Sequence, residues 1–219
     1  MKLETLHQWN ITPAEAIELQ KNLAEQIIYD RPLDIKAIQF VAGVDVSVKD
    51  EQSRAAVVVL SFPQLEVVEY VTATMPTPFP YVPGLLTFRE GPVLVQAFEK
   101  LQQVPDVFIF DGMGRIHPRK IGIASHMGLW LKKPTIGCGK THFLGTYDEP
   151  DVQQGAYSNL THKGELLGVV LRTRANVKPV YISPGHLIDL KTSVDLTLAC
   201  TPKYRLPEPI RQAHHTAGL

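Results

Sequence analysis

The sequence predicts an α/β fold: a mixed sheet in which a three-stranded antiparallel meander is followed by parallel strands, with helices on both faces. Three apolar runs, at residues 37–48, 54–62 and 65–74, are separated by very short turns, and connections that short can join only antiparallel strands. Beyond residue 91, helix-spaced segments alternate with short apolar strands, which is typical of parallel strands with helices between them. A chain of 219 residues, 44% of them apolar, is long enough for one domain spanning residues 1–219.

The first predicted element is a helix that begins at a capping box. Thr12 is followed by Pro13 and, three residues on, by Glu15, a pattern typical of a helix start, and the apolar spacing continues to about residue 29. After the meander, we expect these elements in order: a helix from 91 to 101, strand 107–110, helix 121–131, strand 135–138, strands 169–173 and 180–183, and helix 187–200.

The uncharged stretch at residues 71–88 approaches a membrane span in length, but it contains four prolines, which favours a loop. The N-terminus lacks the apolar core of a signal peptide. Two cysteines cannot form a disulfide framework. We therefore expect a cytoplasmic protein without a membrane partner.

The charge is balanced in total but not along the chain. The 22 basic and 22 acidic residues divide into 8 basic and 14 acidic in residues 1–110, with the reverse in residues 111–219. Residues 112–147 hold six lysines and arginines and no carboxylate. A solvated surface explains such a segment, but it would equally suit a phosphate-bearing substrate. Lys140, after the predicted strand 135–138, is the best-placed residue to contact a phosphate.

Three acidic residues occupy unusual positions. Asp45 alternates with valines inside the first strand, Asp111 ends the buried run 107–110, and Glu90 precedes the predicted helix at 91. Taken singly, an edge position or buried hydrogen bond explains Asp45, a turn explains Asp111 and the helix dipole explains Glu90. Together they can converge on one edge of the sheet, where three acids repel each other unless cations lie between them. Oxygen ligands favour Mg²⁺ or Mn²⁺, so the pattern indicates a two-metal phosphodiester-cleaving site.

A stiff loop, Pro80, Tyr81, Val82 and Pro83, presents its tyrosine with little conformational freedom. Either the tyrosine packs on the surface, or it enters a base stack and holds a nucleotide out of it.

Six segments, in order and over nearly the whole chain, resemble the endonuclease V family: residues 43–47, 80–84, 88–90, 110–119, 122–126 and 206–209. The resemblance implies a ribonuclease H-like fold and a Mg²⁺-dependent DNA repair endonuclease, with Mn²⁺ able to substitute. Its substrate would be DNA containing deaminated bases, chiefly the hypoxanthine of deoxyinosine. Such enzymes hydrolyse the second phosphodiester bond 3′ to the lesion by in-line attack of water, leaving 3′-hydroxyl and 5′-phosphate ends.

Carried over by motif, the resemblance also implies roles for individual residues. Asp45, Glu90 and Asp111 would bind metal and act in catalysis, with His117, Lys140 and His214 as further catalytic residues. The other groups are a DNA-binding wedge of Pro80, Tyr81, Val82 and Pro83, a lesion pocket of Gly84, Leu85, Gly112, Gly122 and Ile123, and phosphate contacts from Arg89, Arg119 and Lys140.

Some alternatives stay open at this point. His214 and His215 are adjacent, and a mobile C-terminal tail is an alternative to a histidine at the metal site. Inosine-containing RNA or single strands are alternative substrates, since no residue decisively reads a 2′-hydroxyl. A non-catalytic lesion-binding protein is disfavoured, because a pure binder gains nothing from carboxylates beside phosphates. We expect a monomer.

Overall fold

The computed structural model describes residues 1–218 and has one mixed eight-stranded sheet flanked by helices. The helices are α1 (Pro13–Ala24), α2 (Leu86–Glu99), α3 (Ile123–Leu131), α4 (Leu190–Ala199) and α5 (Glu208–Gly218), with a short 3₁₀ helix at Ile35–Ala37. The strands are β1 (Phe40–Lys49), β2 (Gln52–Ser61), β3 (Val67–Pro76), β4 (Val107–Asp111), β5 (Thr135–Gly139), β6 (Tyr157–His162), β7 (Glu165–Leu171) and β8 (Val180–His186).

The predicted fold class is confirmed. The strand order is β3-β2-β1-β4-β5-β8-β7-β6. β1, β2 and β3 form the antiparallel meander, whereas β4 pairs with β1 and with β5 in parallel. β8, β7 and β6 extend the sheet as antiparallel strands.

β4 is buried on both faces, as its continuous apolar sequence predicts. Val107 and Ile109 face the core that α4 and α5 cover, whereas Phe108 and Phe110 face the core that α2 and α3 cover. The middle of the sheet is thus a rigid platform between two apolar layers, and its strand ends carry the candidate site.

Several predicted boundaries are wrong, among them those of the strand predicted at 169–173, which is β7 at Glu165–Leu171. The stretch 71–88 is not all loop, because β3 runs to Pro76 and only residues 77–85 connect it to α2. α2 begins at Leu86 rather than at 91, so Glu90 lies inside the helix and Pro92 is an interior residue. α1 ends at Ala24, five residues earlier than predicted, and residues 35–37 form a 3₁₀ helix before β1.

Besides the 3₁₀ helix, two elements were not predicted at all. β6 carries mostly polar residues, because it is an edge strand with little to bury. α5 has only one narrow apolar stripe, with Ile210 and Ala213 buried against the sheet. The alternative of a mobile tail is therefore wrong for residues 208–218.

None of the helices within residues 1–218 has both the length and the apolar character needed to span a bilayer.

One buried histidine makes the stability of the fold sensitive to acid. The backbone N–H of Ile28 donates to Nδ1 of His186 at 3.2 Å, so this nitrogen must be unprotonated. Burial lowers the pKa of His186 to about 4. Between pH 6.5 and 4 the unfolded chain binds a proton that the folded chain does not, so stability falls as the pH falls through this window.

We expect His186 to contribute about 2 kcal/mol to the loss of unfolding free energy between pH 7 and 4.5. Urea unfolding at both pH values measures this loss. In His186→Gln, whose amide oxygen retains an acceptor without titrating, the loss should be smaller by that amount. An unchanged pH dependence in this variant would contradict the assignment.

Candidate active site

Two aspartates stand side by side at the carboxyl end of β4. The parallel register of β1 and β4 aligns Val44 with Phe110, so the next residues, Asp45 and Asp111, are neighbours across the two strands. Their side chains are mostly buried, with 10% and 13% exposed. By strand alternation both carboxylates lie on the sheet face that α5 covers.

α5 brings a histidine to this pair. Nδ1 of His214 lies 2.7 Å from Oδ2 of Asp45. Asp45, Asp111 and His214 each offer a ligand atom, and these three atoms lie within 4.8 Å of one another. The structure thus brings together three of the predicted site residues.

Glu90 approaches from α2 but is not a member of that group. Burial and the negative charges of Asp45 and Asp111 raise the pKa of Glu90 to about 8, although the neighbouring Arg89 opposes the shift. The negative charges of both aspartates thus disfavour ionisation of Glu90. Its role as a metal ligand stays a prediction.

Lys140, two residues beyond the Cys138 that pairs with Asp111 on β5, makes an ion pair with the Asp111 carboxylate. Burial raises the pKa of Asp111, Lys140 opposes the shift and the charge of Asp45 adds to it. Arg205 fixes the backbone beneath this pair, since its Nη2 donates to the carbonyl oxygens of Lys140 and Pro179 at 2.7 and 2.8 Å. The ammonium group of Lys140 is thus held against the Asp111 carboxylate just beyond the end of β5.

The donor set fits a divalent cation. Partly buried carboxylates that repel one another, at raised pKa values, are stabilised when a cation lies between them. Asp45 and Asp111 supply the oxygen ligands that Mg²⁺ and Mn²⁺ prefer. His214 is 65% exposed and is held to the pair by its contact with Asp45.

A cavity of about 410 Å³ adjoins the carboxylates. Its lining includes predicted residues of the wedge, the pocket and the catalytic group: Tyr81, Val82, Pro83, Gly84, Asp111, Gly112, His117, Gly122, Ile123 and Lys140. Residues that the sequence did not single out for this site complete it: Leu86, Thr87, Met113, Gly139, Thr141 and Phe143. The volume lies in the range of small-molecule sites.

The carbonyl oxygen of Gly84 holds one wall of this cavity in place. It accepts hydrogen bonds from Gln20 Nε2 at 3.1 Å, from His117 Nε2 at 3.0 Å and from Arg119 Nη2 at 2.9 Å. Gly84 itself adopts a φ of +80°, which favours glycine. Three donors on one carbonyl fix the loop that follows the Tyr81 segment.

His117 has a defined protonation state. The backbone N–H of Arg119 donates to its Nδ1 at 3.2 Å, so Nε2 carries the proton that is donated to Gly84. Burial and the charge of Arg119 lower the pKa of His117 to about 4. The ring is thus neutral at physiological pH and supports the cavity wall.

Two glycines permit the close packing at the back of the cavity. A Cβ at Gly122 would lie 2.3 Å from the Met113 carbonyl oxygen, and one at Gly112 would lie 2.6 Å from the Ile123 side chain. Any other residue at either position would shift the wall.

Leu85 is placed differently from the expectation. Its side chain is 1% exposed and packs with Ala16, Phe79 and Phe88 in the core, and it does not line the cavity. Phe143, which the sequence did not single out, does line it and stacks on His117 with ring centroids 6.1 Å apart. In the sequence, the available signal was an aromatic residue within the basic segment 112–147; in the structure its side chain is 44% exposed.

Of the remaining predicted residues, Tyr81 lines the cavity, whereas Arg89 and Arg119 do not. Tyr81 is 71% exposed. Arg89 donates to the Phe79 carbonyl oxygen at 2.8 Å, and Arg119 Nε donates to Gln20 at 2.6 Å. Both arginines thus contact protein groups, and their roles as phosphate contacts stay predictions.

Comparison with known proteins agrees with this geometry. The family model for endonuclease V matches residues 21–215. The chain is 49% identical to endonuclease V of Nostoc punctiforme over 220 residues, which cover 100% of this chain and 99% of the relative.

Two solved structures match along most of the chain. Bacillus subtilis endonuclease V superimposes with a TM-score of 0.96 at 33% identity, covering 100% of this chain and 96% of the other. Endonuclease V of Ciona intestinalis, in complex with a 24mer DNA containing an inosine followed by a ribo-adenosine, matches with a TM-score of 0.82 at 28% identity, covering 94% and 95%. The match runs through the strands and helices that carry the carboxylates and the cavity, and the chain belongs to the endonuclease V family.

Proposed function

We propose that this chain is a Mg²⁺-dependent DNA repair endonuclease that recognises deaminated bases, chiefly deoxyinosine. It hydrolyses the second phosphodiester bond 3′ to the lesion, leaving 3′-hydroxyl and 5′-phosphate ends. The observation that carries the proposal is the group of Asp45, Asp111 and His214 beside a cavity of about 410 Å³ that Asp111 also lines. The Ciona relative, crystallised with inosine-containing DNA, supports the choice of substrate.

In this proposal the residues of the chain have separate tasks. Asp45 and Asp111 hold the metal, with Glu90 close by, and a bound divalent cation supplies Lewis-acid stabilisation of the charge that develops on the phosphate. Lys140, which is held beside Asp111, contacts a phosphate oxygen of the substrate. The glycine-lined cavity receives the extruded base. Deamination replaces an exocyclic donor of adenine by an acceptor, so fixed polar groups in the wall can tell the two bases apart.

The test is to map the cut on a duplex that contains one deoxyinosine, with and without Mg²⁺ and against a matched adenine duplex. We expect a metal-dependent cut one nucleotide beyond the lesion on its 3′ side. Cutting of the adenine duplex at the same rate, or none of either, would contradict the proposal.

A second candidate, an inosine-specific endoribonuclease, is favoured by one observation. The Ciona complex contains a ribo-adenosine after the inosine, so a ribonucleotide is accommodated in that relative. Matched DNA, RNA and single-ribonucleotide substrates in the same assay decide between the two. Faster cutting of RNA than of DNA would assign the chain to RNA.

Substitution of Tyr81 should impair the cutting of duplex DNA but not that of single-stranded DNA. Because Tyr81 is 71% exposed, Tyr81→Ala should melt as the wild type does. We expect its cutting of deoxyinosine duplex to fall at least about tenfold, since the cost of unstacking, a few kcal/mol, is no longer offset. A single-stranded substrate, which needs no strand separation, should be cut almost normally.

Tyr70→Ala is the matched control, since Tyr70 is 66% exposed and lies on the edge strand β3. It should cut both substrates at the wild-type rate. Equal losses on duplex and single strand in Tyr81→Ala would remove the wedge role.

A further inference from the structure

A second cleft, of about 500 Å³, adjoins the active site and has no role in the function proposed above. Four of its lining residues are basic and one is acidic: Lys21, Arg115, Arg119, Lys120 and Glu25. Tyr29 provides an aromatic wall. This composition is typical of a site for an anionic ligand.

Arg115 is the unusual residue of this cleft. It is only 9% exposed, and its guanidinium stacks on Tyr29 with 3.5 Å between Cζ and the ring centroid. Its Nε is buried and has no hydrogen-bond partner within residues 1–218. The Glu165 carboxylate lies 3.6 Å from Nη2, which is longer than a hydrogen bond.

A buried Nε–H without an acceptor costs free energy unless a further group accepts from it. Arginine presents its donors as a planar fork that matches the oxygens of a phosphate. The other cations differ in availability: Lys120 is ion-paired with Glu165, whereas Lys21 lies 2.5 Å from Glu18 on the exposed surface of α1. Exposed pairs of this kind are weak and exchange readily for a phosphate.

Arg119 joins the cleft to the active site. Its side chain lines the cleft, and its Nη2 donates to the carbonyl of Gly84, which lines the cavity beside Asp111. A polynucleotide strand whose base enters the cavity has further phosphates on either side. The cleft is the neighbouring basic surface that can receive them.

We propose that the cleft is a binding site for the phosphodiester backbone of the substrate strand outside the lesion nucleotide, with Arg115 and Lys21 as its principal contacts. The inference rests on the proposed function for the identity of the ligand. The cleft would add sequence-independent binding of the strand at a place separate from the carboxylates of Asp45 and Asp111.

The test measures binding of an undamaged 20-nucleotide single strand without metal, so that it does not depend on cutting. We expect Arg115→Gln and Lys21→Gln each to weaken binding about three- to tenfold and to reduce the slope of log affinity against log salt by about 1. Lys191→Gln is the control, since Lys191 also lies on a helix and pairs with an acid, Asp195, at 2.5 Å, but does not line the cleft. It should leave the slope unchanged.

Circular dichroism shows whether Arg115→Gln is folded. If it is not, the salt slope of Lys21→Gln alone tests the proposal. Wild-type slopes in the folded variants would overturn the proposal even if the enzyme cuts deoxyinosine normally. Reduced slopes would support it even if that cutting fails. Millimolar inorganic phosphate is the competitor: equal occupancy by free phosphate and by the strand would overturn the assignment to a polynucleotide, whereas preferential retention of the strand would support it.

Discussion

Asp45→Asn and Asp111→Asn should each abolish Mg²⁺-dependent cutting of deoxyinosine duplex, by about a thousandfold or more. Each substitution removes a negatively charged ligand from the group that Asp45, Asp111 and His214 form. A bound metal supplies several kcal/mol of charge stabilisation, and each 1.4 kcal/mol corresponds to about a factor of ten in rate. Single-turnover cleavage at saturating enzyme measures the loss without a contribution from substrate affinity.

Asp45→Asn should be more stable than the wild type in the absence of metal, whereas Asp111→Asn also deprives Lys140 of its ion-pair partner. Burial, together with the charges of Asp45 and Asp111, raises the pKa of Glu90 to about 8, so the folded state holds repelling acids close together. Removing one of them relieves that repulsion. Thermal melting of Asp45→Asn in EDTA should therefore show an increase, and the additional stabilisation that Mg²⁺ gives the wild type should shrink in both variants.

Asp106→Asn is the matched control, because this aspartate directly precedes the amino end of β4, whereas the candidate site lies at the carboxyl end. Its Oδ2 accepts hydrogen bonds from the backbone N–H groups of Gln39 and Phe40 at 2.8 and 3.0 Å. We expect this variant to melt at a lower temperature yet to cut normally while folded. Near-normal cutting by Asp45→Asn or Asp111→Asn in Mg²⁺ would remove that residue from the metal site.

The sequence was sufficient to locate the two aspartates because their positions follow from periodicity. Asp45 interrupts an alternating strand and Asp111 ends a continuous apolar one, and parallel neighbours bring such positions to one edge of the sheet. The meander was equally accessible, since its turns are too short for crossovers. Local rules were enough wherever they and the global fold agree.

The sequence was insufficient where the burial of a segment depends on the element that it packs against. α5 has few apolar residues, and only the sheet beneath it explains why Ile210 and Ala213 are buried. His214 thus could be assigned from the family resemblance but not from periodicity. Leu85 shows the converse, because its neighbours Gly84 and Leu86 line the cavity while its own side chain points into the core.

The docking of α5 on β1 leads to the second large effect, in Gly43→Ala. A Cβ at Gly43 would lie 1.8 Å from the carbonyl oxygen of Pro209, in the first turn of α5. Backbone cannot yield as a flexible side chain does, so the helix must move away from the strand. We expect the variant to lose about 1–3 kcal/mol of unfolding free energy or more, as measured by urea denaturation.

The displacement should also impair catalysis, because α5 carries His214 to its 2.7 Å contact with Asp45. A shift of about 1 Å at a reacting site can cost about a hundredfold in rate, and we expect a loss of that size in single-turnover cleavage by folded Gly43→Ala. Gly218→Ala, at a glycine of the same helix with open space around it, should cut and melt as the wild type does.

The double variant Gly43→Ala/His214→Ala shows whether the histidine transmits the effect. If the strand acts on catalysis by positioning His214, removing the imidazole leaves nothing further to displace, and the double variant should cut no more slowly than the slower single variant. Independent effects would instead multiply. A multiplicative loss would place the catalytic defect of Gly43→Ala in Asp45 itself, which lies two residues further along β1 on the same face.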